Sequence, residues 1–321
     1  MKIIDEINKA LEEKRTLLGF ELLPPLKGEG RKGVFKAVEN MLEYNPAYVN
    51  ITFHREGLKQ NLDARGSTSY HIVRKRPGTV GIAAAIQQRY GLPAVPHIIC
   101  GGLSKYDIED ALIDMDFLEI NNLLALRGDA RHYEKEFIPH PEGHAHAVDL
   151  VKQIQAMNRG EFIDGEVDEC HHSKFCVGVA GYPEVHATAV SADEDIKRLK
   201  EKIDAGAEYI VTQMFFDNEA FFNFEKRCRE AGIYVPIIPG LKPLVTEKQL
   251  YTLPETFSIK IPYALSMEVI KCRGDKAKIK EVGLEWSVNQ AKELKERGVP
   301  ALHFYTMSKT ENIAKIASKV F

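Results

Sequence analysis

The sequence predicts an α/β fold, a (β/α)8 TIM barrel with extra helices before its eighth strand. Three observations lead there. Apolar, β-branched runs of strand length recur from one end of the 321 residues to the other, eight in all. The segments between them carry helical periodicity. No G-x-G-x-x-G string follows the first run, as a doubly wound dinucleotide fold requires. Parallel strands covered on both faces read as continuous apolar runs, and eight of them with their helices need about 250 residues or more. No Ser/Gly/Pro-rich linker or low-complexity tract divides the chain, so residues 1–321 read as one domain.

Taken in order, the strand runs are 16–23, 47–53, 94–100, 121–126, 174–181, 208–213, 234–239 and 301–306. Val34, Val38 and Met41 form an apolar stripe after the first, and Ala147, Leu150, Val151 and Ile154 recur at i, i+3, i+4, i+7 after the fourth. Ser191 and Glu194 have the spacing of a capping box; they open a helix with the stripe Ile196, Leu199 and Ile203, which stops at Gly206. Residues 160–173 are polar and form a surface excursion before the fifth strand, while 253–299 hold no strand run and supply the extra helices.

Hydrophobic residues make up 44% and charged residues 28%, a balance that buries a full-sized core and excludes disorder. Forty-three Lys plus Arg against 46 Asp plus Glu leave a net charge of −3, so no global field draws nucleic acid or an anionic membrane. The five cysteines, Cys100, Cys170, Cys176, Cys228 and Cys272, fit a reducing compartment better than a disulfide framework. Met1-Lys2-Ile3-Ile4-Asp5-Glu6 lacks the apolar segment of a signal peptide, and no apolar run reaches the ~18 residues of a membrane span. The expected location is the cytoplasm.

A barrel of this kind builds its site at the C-terminal ends of the strands. The residues there are Glu21, Thr52, His97, Asp129, Tyr182, Gln213, Gly240 and Tyr305, all expected to face one mouth. Glu21 stands between apolar neighbours just before Pro24 and Pro25. A desolvated carboxyl there has a raised pKa and suits a general acid; the alternative is an interior carboxylate paired with a lysine or arginine. Arg127-Gly128-Asp129 offers a planar cation, a glycine that lets a flat ligand approach the backbone, and an anion, with a solvated turn as the alternative. After Tyr182-Pro183-Glu184-Val185-His186, the next helix presents Asp195, Arg198 and Lys202 at i, i+3, i+7. That stripe faces either a ligand or solvent, laced by salt bridges. Gln213 both donates and accepts, as a heterocycle edge demands. His97 is either a ligand or a satisfied core histidine. Cys170, His171, His172 and Cys176 are zinc-ligating residue types, but C-H-H-x3-C matches no finger or ribbon spacing, and no metal is expected.

Taken together, seven strings resemble the methylenetetrahydrofolate reductase family, in this order and over residues 17–310. They are Phe20-Glu21-x-x-Pro24-Pro25, Ala125-Leu126-Arg127-Gly128-Asp129, Ala180-Gly181-Tyr182-Pro183-Glu184-Val185-His186, Asp204-Ala205-Gly206-Ala207, Thr212-Gln213-x-Phe215-Phe216-Asp217, Ile237-Ile238-Pro239-Gly240 and His303-Phe304-Tyr305-Thr306. The resemblance implies a (β/α)8 flavoprotein in which FAD passes a hydride from NADH, or NADPH, to 5,10-methylenetetrahydrofolate. The product is 5-methyltetrahydrofolate, which feeds methionine synthesis and one-carbon metabolism. By the same resemblance Glu21 is the acid that protonates and opens the imidazolidine ring, and Asp129 lies between flavin and folate. Gln213 and Gln249 are folate-contacting amides, with Tyr305 and Lys309 on the same substrate. For FAD the resemblance implies Thr52, His97, Arg127, Gly128, Asp129, Ala147, Tyr182, His186, Ala189, Asp195, Arg198 and Lys202, with Lys202 at the pyrophosphate and Asp195 at a ribose hydroxyl. It further implies a homo-oligomer, NADH as the better donor from bacterial relatives, and no C-terminal regulatory domain, hence no control by S-adenosylmethionine.

The chain departs from the family pattern in places. Lys309 stands where arginine is usual, so a bidentate grip on the folate tail becomes a point charge. Arg198 and Glu201 stand where Asn and Arg are expected near the FAD phosphates, with Arg198 supplying the charge that Glu201 lacks. Phe53-His54-Arg55-Glu56-Gly57 differs from the commonest bacterial form. Two other classes leave different marks. A metal-dependent hydrolase using His97, His171 and His172 would hold zinc and no flavin, and a partner-dependent subunit would bind flavin or folate but take electrons only through another protein.

Overall fold

The apolar runs become parallel strands that close into a barrel, because only closure covers both edges of a sheet buried on both faces. The structure is a computed structural model that describes residues 1–62, 68–131, 134, 136–166, 171–186, 189–307 and 309–321. In chain order the strands are β1 (Leu17–Leu22), β2 (Tyr48–Ile51), β3 (Gly57–Leu62), β4 (Thr68–Val73), β5 (Ala94–Ile99) and β6 (Asn122–Leu126). They continue with β7 (Glu161–Phe162), β8 (Gly165–Glu166), β9 (Cys176–Gly181), β10 (Tyr209–Met214), β11 (Ile237–Leu241) and β12 (Ala301–Tyr305). The barrel runs β1-β12-β11-β10-β9-β6-β5-β2 and back to β1, parallel throughout. All eight expected strands are present.

The first helices are α1 (Ile3–Glu12), α2 (Lys32–Leu42), α3 (Val80–Tyr90), α4 (Lys105–Phe117), α5 (Ala147–Asn158), α6 (Ala192–Asp204) and α7 (Asn218–Glu230). The expected stripes are the buried faces of α2 and α5. At α6 the Ser191 hydroxyl accepts from the Glu194 amide at 3.2 Å, but the Glu194 carboxylate takes the Val190 amide at 2.7 Å, so the box closes one residue upstream. The strandless stretch supplies α8 (Gln249–Phe257), α9 (Tyr263–Lys271) and α10 (Lys276–Glu296), which pack with Met214, Phe216 and Leu244 in a cluster of their own, and α11 (Thr310–Val320) follows β12.

Two details differ from the sequence expectation. The seventh barrel strand lies later, at Ile237–Leu241 rather than 234–239, because Tyr234 is 78% exposed while every residue of β11 is buried. The antiparallel hairpin β3–β4 was not anticipated. Residues 68–72 of β4 are exposed, so no apolar alternation marks it.

The bottom of the barrel is sealed. Ile3, Ile4, Ile7 and Ala10 of α1 cover an interior layer that includes Leu17, Tyr48, Val95, Leu124 and Tyr209. Asn122 fixes this plug by accepting from the Ile3 amide at 2.8 Å and donating to the Met1 carbonyl at 3.0 Å. Gly19 and Gly178 make room for the two tyrosines, since a Cβ at either would stand 2.2 Å from a phenol carbon. Interior space is therefore left at the opposite end. Among the described residues no helix is long and apolar enough to cross a membrane. Of the cysteines, Cys100, Cys176, Cys228 and Cys272 are free thiols, and Cys170 lies outside the described residues.

Candidate active site

A cavity of about 1180 Å³ opens at the C-terminal ends of the strands. Ordinary small-molecule sites hold roughly 300–1,000 Å³, so this one has room for more than one ligand. Every residue expected to hold cofactor or substrate lines it except Ala189, whose amide donates to the His186 carbonyl at 2.9 Å beside the rim.

Glu21, 7% exposed, enters from β1, level with Asn50 on β2 and Tyr305 on β12. Its carboxylate lies 3.8 Å from His97 Nε2, its one ion-pair contact among the described residues. That contact carries no charge on the histidine side: burial, with His303 and His54 adding to it, drops His97 to about 3. His97 meets Asn50 Nδ2 at 3.1 Å instead. Burial pushes the Glu21 carboxyl up to about 8, opposed only in part by Lys242. Of the two sequence readings of Glu21, the fold builds the desolvated carboxyl and not a close lysine or arginine pair.

Across the mouth the groups are polar and engaged. Gly128 has φ +83°, and a Cβ there would press on Ile99 Cδ1 at 3.3 Å. The Arg127 guanidinium lies 5.1 Å from the centre of the Phe137 ring. Tyr182 and His186 meet edge to face at 4.5 Å, and the His186 amide donates to the Asp195 carboxylate at 3.0 Å. Lys202 donates to the Ala180 carbonyl at 2.7 Å; burial lowers its pKa to about 8, with Asp195 pulling it back up. The charged stripe of α6 is thus divided. Asp195 and Lys202 are built into the wall, whereas Arg198 reaches the rim and pairs with Glu194 at 2.6 Å.

At β10 the pairing with β11 shifts register between Val211 and Met214, a bulge that re-aims Gln213 into the mouth. The Gln213 side-chain oxygen accepts from the Met214 amide at 2.9 Å. Tyr305 donates to the Thr212 carbonyl at 2.7 Å over Gly240, where a Cβ would sit 2.2 Å from that same oxygen. Gly240 therefore serves this close approach and does not line the cavity. The Gln249 oxygen accepts from the Val245 and Thr246 amides at 2.7 and 2.9 Å. Lys309 stands just ahead of α11.

A family model described as methylenetetrahydrofolate reductase matches residues 6–320. The chain belongs to the methylenetetrahydrofolate reductase family. It is 30% identical over 311 residues to the 5,10-methylenetetrahydrofolate reductase of Pectobacterium carotovorum subsp. carotovorum, covering 96% of this chain and 91% of that one. It is also 30% identical over 317 residues to a probable methylenetetrahydrofolate reductase (NADH) of Oryza sativa subsp. japonica, covering 96% of this chain and 48% of that one. The chain thus spans about half the length of the plant relatives it matches. Among solved structures, an uncharacterized Clostridium thermocellum protein that binds two copies of 5-methyl-5,6,7,8-tetrahydrofolic acid shares the barrel, with TM-score 0.58, 14% identity and 98% of both chains covered.

Within this family site, several residues escaped the sequence reading. Lys242 lines the cavity just past β11, and ending that strand two residues early hid it. An ionic network joins the segment after β2 to the segment after β6. In it Arg131 contacts Glu56 at 2.5 Å and Glu134 at 2.8 Å, and Arg55 lies 3.8 Å from Glu134. Arg55 also donates to the Asp129 carbonyl at 3.0 Å, tying the network to the site. The unusual run at 53–57 was the one sequence signal. Of the zinc-type residues, Cys170 lies outside the described residues, His171 is exposed beside Asp116 at 3.2 Å, and Cys176 is buried inside the barrel. Among the described residues no three His, Cys, Asp or Glu are grouped to hold an ion.

Proposed function

We propose that the chain reduces 5,10-methylenetetrahydrofolate to 5-methyltetrahydrofolate in this cavity, with FAD as the resident cofactor and NADH, or alternatively NADPH, as the hydride source. The observation that carries this reading is Glu21, a carboxyl buried on the wall of a cavity large enough for two ligands, where desolvation pushes its pKa up to about 8. The opposite wall suits an elongated ligand with a flat ring, a ribose and an anionic pyrophosphate. Gly128 permits close backbone approach to a ring, Arg127 and Tyr182 offer planar surfaces, Asp195 accepts from a hydroxyl, and Lys202 supplies a partly desolvated cation. Thr52, His97, Asp129, Ala147, His186 and Arg198 line the remaining flavin-side surface, and Ala189 supports His186. Bound FAD supplies a two-electron carrier between the two substrates.

The protein's own work is proton delivery and orientation. Glu21 holds a proton on its carboxyl and gives it to a ring nitrogen of the imidazolidine; the carbon–nitrogen bond opens, and the carbon becomes a hydride acceptor. Asp129 places an anion beside that carbon. Gln213 and Gln249 orient the pterin edge, Gln249 as a donor through Nε2 because its oxygen is engaged. Tyr305 closes the floor, and Lys309 offers a point charge to a substrate carboxylate. The free thiols support residence in the cytoplasm, and homo-oligomeric assembly rests on the family resemblance alone.

Visible spectroscopy under anaerobic conditions tests the reading. NADH should bleach the flavin, and methylenetetrahydrofolate should restore its oxidised spectrum. Protein that retains no flavin after incubation with FAD would contradict the proposal, and a flavin that both NADH and NADPH leave oxidised would point to electrons delivered by a partner.

A further inference from the structure

Three neighbouring strands put three side chains in one layer at the top of the barrel. Glu21 on β1 pairs with Tyr305 on β12, and Leu241 on β11 pairs with Phe304, so Lys242 stands level with Tyr305. Leu241 and Phe304 both belong to the core outside the barrel. By alternation Lys242 and Tyr305 turn inward with Glu21, and all three line the cavity.

We propose that Lys242 is a positioning residue for proton transfer: its ammonium, in the same barrel layer as Glu21, stabilises the negative charge that Glu21 acquires when it gives up its proton. The inference rests on the reductase reading above. The balance is simple: the proton moves from the Glu21 carboxyl to a ring nitrogen of the folate, the carbon–nitrogen electron pair stays with that nitrogen, and Lys242 remains protonated throughout.

The other groups around Glu21 do not offer this charge. Asn50 on β2 and Gln213 on β10 are neutral, and Asp129 after β6 carries the wrong sign. His97 on β5 and His303 on β12 are buried and pushed down to about 3, and His54 is lowered too, chiefly by desolvation. Tyr305 is raised well above its ordinary value by burial. Lys242 is the one cation among the described residues that acts on Glu21 through its charge; Lys309, which acts on Lys242, is exposed ahead of α11, whereas Lys242 is half-buried. Desolvation lowers the Lys242 ammonium, Lys309 adds to that, and Glu21 opposes it, while Lys242 in turn lowers Glu21, so each of the pair favours the other's charged form. They make no contact within 4.0 Å in the structure, so the effect is a field across the cavity rather than a closed ion pair that would keep Glu21 ionised at rest.

The test compares the holoenzyme with Lys242→Met and Lys242→Arg in two separate half-reactions, each followed by stopped-flow flavin absorbance against pH. Reoxidation of the reduced flavin by methylenetetrahydrofolate uses Glu21, and reduction by NADH does not. Lys242→Met should slow reoxidation several-fold and move its alkaline limb up by about one pH unit, while NADH reduction stays within about twofold. Lys242→Arg should restore both the rate and the limb. An unmoved limb in Lys242→Met would overturn the proposal, as would equal losses in both half-reactions that arginine fails to rescue. A parent enzyme whose reduced flavin methylenetetrahydrofolate does not reoxidise would instead remove the reductase reading on which the proposal rests.

Discussion

Two sets of carboxyls, one in this cavity and one at its edge, have opposite fates: Glu21 is buried, whereas Glu56 and Glu134 are half-buried. Glu21 is desolvated with no close cation, and its pKa rises to about 8. Burial also pushes Glu56 and Glu134 upward, but backbone hydrogen bonds and contacts with Arg131 and Arg55 outweigh it and hold both below their ordinary value. The side chain is the same, so the difference lies in the depth of burial and in the neighbours. A carboxyl surrounded by β-strand interior becomes a proton store, and a carboxylate packed against guanidinium groups becomes a strut. The first kind suits chemistry; the second ties the segments after β2 and β6 together behind Asp129.

Removing the Glu21 carboxyl has the largest expected effect. Glu21→Gln should cut flavin reoxidation by methylenetetrahydrofolate roughly 10²–10⁴-fold while leaving reduction by NADH close to the parent rate, read by stopped-flow absorbance. The same substitution bears on stability. A folded pKa of about 8 against an ordinary 4.5 means that the stability Glu21 contributes is fully present below pH 4.5 and is lost as pH rises through 8. Urea denaturation should therefore show Glu21→Gln gaining on the parent across that window, by up to about 5 kcal/mol.

Arg131→Leu would convert the second set into the first, leaving Glu56 and Glu134 without their main cation. A loss of about 3 kcal/mol is expected at neutral pH, measured by denaturant unfolding. Because both folded pKa values are depressed, the stabilisation lies above the ordinary carboxylate range and is lost as pH falls through the folded values. The deficit of the variant should accordingly shrink in acid. A deficit that persists unchanged at low pH would show that Arg131 acts by packing and not by charge. Smallest of all, Arg198→Ala removes an exposed i, i+4 pair with Glu194 and should change stability by no more than about 0.5 kcal/mol, since water screens that pair.

The barrel was legible because its strands are apolar on both faces, a pattern that survives uncertainty in their ends. The β3–β4 hairpin was not, since residues exposed along a strand leave no hydrophobic signature. Within the site, Glu21, the Arg127-Gly128-Asp129 turn and the α6 stripe could be read locally, because each lies where an apolar run stops or on one helical face. Their separate states could not. The burial of Lys202 against the Ala180 carbonyl depends on how α6 is rotated against β9. Lys242 was missed through a strand end misplaced by two residues. The network of Arg55, Glu56, Arg131 and Glu134 joins Glu56 to Arg131 across 75 positions and Arg55 to Glu134 across a still longer span, and no spacing rule announces such pairs.

The chemistry assigned to this cavity requires Glu21 to hold a proton at neutral pH. Infrared difference spectroscopy of the parent against Glu21→Gln, taken across a pH titration, reads that proton directly through the carbonyl stretch of a protonated carboxyl. A band present at pH 7, titrating near pH 8 and missing from the variant, is the predicted result. A Glu21 signal that titrates in the ordinary carboxylate range, with no protonated band at pH 7, would contradict it.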